Sequence, residues 1–343
     1  MVSIFLVAPL FHAQVTGTLL LFIKLSREWP KFLNKISSID ECFVKRYKSS
    51  TNLRRKIYVL AVSAYALVNV LHLLAMVKFQ IMKDCHNSFT GFKYYIKKHF
   101  HYVFDLIPYN TITGVILLAS SFVGLYIWTY GDIFIASTSM ILTTRFHEIR
   151  ERIYIYTRAM STRERRLLKV LPKDIQKLDL LFWKEIRRDY NMMSKLCRKL
   201  NSLISNVILL DYASNLILIL FQLFTGLGRK YTFPEMMYFY FSFGYMTLRI
   251  SLLSAFGGWL YEAGRASIHI LNMVPTEIYN NEISKLIHQM HNCTPCFTGK
   301  GFFRITKGLT LNIAAAIITY ELVLVQFNQT KGNSDHVNQS ACK

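Results

Sequence analysis

Four charged side chains stand inside otherwise apolar runs of this 343-residue chain: Asp132, Asp211, Arg249 and Glu321. Charge in such a setting is costly unless it meets a partner or water. Two of the runs are joined by the short segment TGLGRKYTFP. Folding the chain back about residues 230–231 sets Asp211 opposite position 250, at nearly the depth of Arg249. A buried Asp211–Arg249 ion pair is therefore expected. The same register puts Asn215 near Met246 and Gln222 near Phe239. In LYIWTYGD, Trp128 and Asp132 are four apart and share a helix face. YFYFSFGY adds Tyr238, Tyr240, Ser242 and Tyr245. Flat aromatic faces against C–H groups, with carboxylates and amides taking hydroxyls, is the chemistry of sugar binding. On composition alone, an interfacial aromatic belt with interhelical hydrogen bonds accounts for the same residues better.

Other constellations carry less. HQMHNCTPC offers His288, His291, Cys293 and Cys296, all metal-compatible types. A structural site separates its ligand pairs by a loop, whereas these four crowd into nine residues. A reduced loop without metal is expected. The six cysteines are scattered, so no disulfide scaffold is expected. There is no G-x-S-x-G, H-E-x-x-H or Walker A pattern. Neither an enzyme nor a cofactor is expected.

The elements that must hold these residues are membrane helices. Hydrophobic residues make up 52% of the chain, too many for an ordinary soluble protein of this length. Six runs qualify as spans by length and lack of charge: 4–23, 57–79, 109–142, 203–225, 236–260 and 308–327. The third exceeds a span and should project from the bilayer. The fold class is thus all-α and polytopic, with long helical extensions on one side. Counted from residue 109, Asp132 lies about 34 Å along its helix, deep enough to serve structure instead of a ligand.

Orientation follows from charge. Lys and Arg number 10 in 24–56, 16 in 145–199 and 5 in 265–307. The alternate segments carry 5 in 78–98, 2 at 229–230 and 2 in the tail. The split of 31 against 9 puts the first set in the cytosol and the C-terminus outside. The net charge of +21 is thereby mostly cytosolic flank, and no nucleic-acid partner is expected. The tail's sequons agree with an outside C-terminus. Asn328 is too near the bilayer for glycosylation, and Asn338 is the candidate. In the large cytosolic segment, Ile175, Leu178, Phe182, Ile186, Met193, Leu196 and Leu200 form an amphipathic stripe. A helical bundle that packs subunits together is the expected use of that stripe.

Several strings together resemble one family. They are SREWPKFLNKISSIDE, FVGLYIWTYGDIFIASTSMILTTRF, SNLILILFQL and GKGFFRITKGLTLNIAAAIITYELVLVQF. They resemble the insect gustatory receptors, and TYELVLVQF (Thr319, Tyr320, Glu321, Gln326 and Phe327 among its residues) fits the sugar-receptor clade. The resemblance implies seven helices, a cytosolic N-terminus and an external C-terminus. It implies a plasma-membrane, sugar-gated, non-selective cation channel of taste neurons, assembled as a homo- or heterotetramer with other gustatory subunits. Residues 1–327 would form one domain, with an anchor at about 143–202 and 263–307, a pore helix at 308–327 and an external tail at 328–343. Met1 falls at the edge of what resembles the family's second helix, so the chain is expected to be truncated or incomplete at its N-terminus. By matching position, Val323 and Gln326 become the pore constriction, and Glu321, on another face, should meet a neighbouring helix. Trp128, Asp132, Asn215, Gln222 and Tyr240 become ligand-pocket candidates. The rival readings are a G-protein-coupled receptor, a transporter, and a receptor fragment that folds without gating. The external C-terminus opposes the first, and the lack of an internal repeat opposes the second.

Overall fold

The fold comes from a computed structural model that describes residues 2–47, 52–81, 88–167, 173–226, 232–276 and 279–340. Among these residues it is helical apart from one small hairpin. In chain order the helices are α1 (Val2–Arg46), α2 (Leu53–Ile81), α3 (Ser88–His99), α4 (His101–Phe104), α5 (Thr111–Leu167) and α6 (Lys173–Gly226). They continue with α7 (Phe233–Arg265), α8 (Ile268–Asn272), α9 (Asn281–Asn292) and α10 (Lys307–Ser340). Strands β1 (Thr298–Gly299) and β2 (Phe303–Arg304) pair antiparallel just before α10.

Length separates the two functions of the long helices. The 57 residues of α5 extend about 85 Å at 1.5 Å per residue, far beyond a hydrocarbon core of about 30 Å. The 54 residues of α6 do the same in the opposite direction. Both therefore emerge from the apolar bundle at the end called basal here, which also holds α1 from residue 24 onward, α8, α9 and the hairpin. The opposite, apical end carries α3 and α4. The first helix runs uninterrupted through Pro9 and Pro30, so the segment after residue 23 is helix, not loop.

Local signals set several boundaries. Thr232 caps α7, its backbone N–H donating to Glu235 Oε2 at 3.0 Å, with Pro234 in the first turn, where its missing N–H costs nothing. Asn280 caps α9 by accepting from the Glu282 and Ile283 N–H groups at 3.0 and 3.1 Å.

The largest core lies at the basal end. Phe43, Phe146, Ile149, Ile153, Trp183 and Ile186 sit in it, with α8, α9 and Phe297 closing the underside. Within the protomer the extensions of α1 and α5 cover the stripe at Ile186, Met193, Leu196 and Leu200, while Phe182 is half-buried and Leu178 of the same stripe is 64% exposed. Tyr47 donates to Asp189 Oδ2 at 2.9 Å, and Arg46 donates to the same carboxylate at 3.1 Å, which fastens the α1 extension to α6. The apical half holds only small clusters, such as Val68 with Leu71 and Tyr245.

Three stretches, Leu53–Met76, Thr111–Met160 and Leu178–Phe224, are long and apolar enough to cross a membrane. The other expected spans lie on α1, α7 and α10; α7 carries several tyrosines and Arg249.

Candidate functional site

Helices α5, α6 and α7 converge on Arg249. Its Nη2 lies 2.5 Å from Asp132 Oδ2 and 3.5 Å from Asp211 Oδ1. The guanidinium also lies over the Trp128 ring, 3.6 Å from its centroid. Such stacking adds a quadrupole attraction to the ion pairs. The expected Asp211–Arg249 pair is thus the weaker half of a shared arrangement. Hairpin register fixes the depth of Asp211 relative to α7, but not the direction in which the arginine leaves the helix. Because α5 also packs on α7, Asp132 reaches the guanidinium from the other side.

The cluster is rich in polar atoms that lack a protein partner. Asp132 Oδ1, Asp211 Oδ2, both amide atoms of Asn215, Arg249 Nε and Nη1, and Trp128 Nε1 are all buried without a hydrogen bond. On α1, one turn from the Phe11 ring that meets Trp128 edge-on, both amide atoms of Gln14 are also buried without a hydrogen bond. Gln14 is 3% exposed, and sequence reasoning missed it. The signal was present: one amide within the apolar run FHAQVTG. A buried polar group without a partner costs roughly 1–3 kcal/mol, and native structures contain few. This concentration is a store of donors and acceptors suited to a polyhydroxylated molecule.

A cavity of about 70 Å³ opens beside the cluster between α2, α5 and α7. Leu60, Ser63, Asp132, Tyr245, Arg249 and Phe256 are among its lining residues. Pockets for small molecules run to about 300–1,000 Å³. The helices must therefore separate before this place admits a sugar.

Two other candidates stand apart. Gln222 donates from Nε2 to the Phe239 carbonyl at 3.0 Å, in the register that the fold-back gave. It lies two turns apical of Asn215. Tyr240 is 65% exposed and does not join the cluster. The inward face of α7 is Ser242, Tyr245 and Arg249, at steps of three and four, and Tyr240 leaves the helix on the other side.

On α10, Leu309, Ile313 and Ile317 pack against the bundle at steps of four. Thr319 donates to the Ala315 carbonyl at 2.9 Å, satisfying its hydroxyl within the helix. Tyr320 is half-buried, Glu321 and Gln326 are exposed, and Val323 is 41% exposed. The side chains of Phe327 and Asn338 lie outside the described residues. At the basal end, His288, His291 and Cys293 are exposed and Cys296 is half-buried. Burial pushes the Cys296 thiol up, away from the thiolate a metal would need. Among the described residues no three such groups converge.

These features define an all-helical, polytopic membrane protein. The fold superposes on the insect olfactory receptor OR5 from Machilis hrabei with a TM-score of 0.62 at 13% identity, covering 94% of this chain and 80% of that one. The trehalose receptor family model matches residues 5–342. The chain belongs to that family, one of insect gustatory receptors. It is 27% identical over 332 residues to the gustatory receptor for sugar taste 64a of Drosophila melanogaster, covering 94% of this chain and 69% of the relative. To the gustatory receptor 5a for trehalose of the same species it is 22% identical, covering 95% and 70%. These relatives are receptors, and this chain is not an enzyme.

Proposed function

We propose that the chain is a sugar-gated cation-channel subunit of the plasma membrane, with the Arg249 cluster as the floor of its ligand pocket. The observation that carries this reading is the set of unpaired buried donors and acceptors around Trp128, Asn215 and Arg249. Membership of the trehalose receptor family supplies the ligand class. The basal end faces the cytosol on the charge count, and six spans cross the bilayer. Gln222 and the wall of Trp128 stand on the apical, outer side of the charged layer.

Mechanism follows from differential binding. A sugar that needs the helices apart is compatible only with the separated arrangement, and so shifts the equilibrium toward it. The apical half, with its small clusters, is the part free to separate. The α10 helix is tied at its base and lightly packed above Ile317, so motion of α6 and α7 reaches its outer end. There Val323 and Gln326 form the constriction, an amide ring above an apolar ring that gates by wetting. Glu321 is exposed on the protomer, and the helix it meets comes from a neighbouring subunit of the tetramer.

Thermal stabilisation of the purified full-length chain by a panel of sugars, trehalose included, tests the pocket. Asn215→Leu should fold and lose the stabilisation. Retained stabilisation in Asn215→Leu and in Trp128→Leu would remove the cluster from the pocket.

A further inference from the structure

The basal hairpin carries side chains that gating by sugar does not use. Asn201, two residues before the span at 203, donates to Thr298 Oγ1 at 3.0 Å and accepts the Thr298 N–H at 2.8 Å. Gly257 and Gly258, at the basal end of the span 236–260, lie directly against Ile305 and the Lys307 backbone. The apolar run of α10 begins at Gly308. Three separate chain segments therefore place the hairpin at one depth, the boundary of the apolar layer.

Its tip points away from the bundle. Lys300 at φ 54° and Gly301 at φ 85° close the turn, and Phe302 beyond them is 81% exposed. Lys300 and Arg304 flank it, both exposed and without an ion pair among the described residues. Nearby on α7, Trp259 is 44% exposed, one turn from Glu262, which pairs with Lys307 at 2.5 Å. Two exposed aromatic residues at the edge of an apolar layer, bordered by cations without an ion pair among the described residues, suit an interface that is greasy on one side and anionic on the other.

We propose that the β1–β2 hairpin is a membrane-surface anchor, in which Phe302 inserts among lipid chains and Lys300 and Arg304 bind anionic headgroups of the cytoplasmic leaflet. The proposal rests on the membrane orientation given above. Anchoring this turn fixes the base of α10 relative to the bilayer, so the lipid composition of that leaflet sets how firmly the pore helix is held.

Full-length protein in lipid nanodiscs tests it, with Phe302→Trp made in a Trp259→Phe background. Bromine-labelled phosphatidylcholine should quench the added emission. Quenching by aqueous acrylamide alone, or by neither agent because a second copy of the chain covers the site, would overturn insertion. In discs of phosphatidylcholine with about 30% phosphatidylserine, the unaltered chain should melt higher than in phosphatidylcholine alone. Lys300→Gln with Arg304→Gln should abolish that rise and weaken headgroup binding on the order of tenfold. An equal rise in the double variant would overturn the headgroup site. A Lys300→Cys chain should react with an impermeant maleimide only after cells are opened. Labelling of intact cells would overturn the leaflet assignment even with normal sugar currents, whereas missing currents with quenching intact would strike the channel reading alone.

Discussion

Arg249 is held by two carboxylates of unequal reach, and that inequality is testable. At 2.5 Å Asp132 is the closer partner, and at 3.5 Å Asp211 is the looser one. Asp132→Asn should therefore reduce surface expression more than Asp211→Asn. Removing the shared cation is worse, because it strands both acids: Arg249→Met should cost about 3–5 kcal/mol, the range for breaking a buried pair. Exchanging the charges, Asp132→Arg with Arg249→Asp, should recover part of the expression that either single change loses. Quantitative surface labelling reads all six variants, the two single halves of the exchange included, and equal losses for the two asparagine variants would contradict the unequal sharing. The depth match of Asp211 and Arg249 was legible from chain fold-back alone. The role of Asp132 was not, because hairpin arithmetic says nothing about a third helix approaching from the side. The Trp128–Asp132 spacing showed one polar face on α5, which is the face that meets Arg249.

At the level of elements, α7 and α10 are joined at a point of close approach. A Cβ at Gly258 would lie 2.7 Å from the Lys307 backbone nitrogen, which cannot move without shifting the start of α10. Gly244, on the same helix, has open space around it. Gly258→Ala should therefore lower the melting temperature, while Gly244→Ala should be neutral or gain up to about 1 kcal/mol from helix propensity. A melt of both variants in the same detergent checks the contrast, and an undisturbed Gly258→Ala would disprove the tight joint. The extents of α5 and α6 follow from apolar runs that pass into amphipathic ones. The basal part of α1 was harder to see. Hydropathy fades after residue 23, and Pro30 looks like a stop, yet Leu25, Phe32, Ile36, Ile39 and Phe43 keep helical spacing among the charges. The stripe on α6 announced that it needed cover, but only the assembled fold shows that α1 and α5 supply it from Ile186 to Leu200, while Leu178 stays exposed.

For the whole molecule, orientation and assembly decide what α10 can do. The exposed Gln326 and Val323 are set apart from Glu321 around the helix. Gln326→Ala should change conductance or gating with surface level unchanged, while Glu321→Gln should lower assembly. Single-channel recording together with native gels separates the two, and a selective change of ion selectivity in Glu321→Gln would reverse the assignment. An epitope placed at the C-terminus should be reached by antibody on intact cells; access only after permeabilisation would invert the topology and with it the pore reading. The central claim is that a sugar opens this chain as a channel, and sugar-evoked whole-cell current is its most direct measure. A saturable inward cation current to at least one sugar of a panel that includes trehalose, reduced at least tenfold in sensitivity by Asn215→Leu at equal surface level (roughly the loss of one buried polar contact), is the predicted result. Tetramers at the surface that give no current with any sugar would contradict the account.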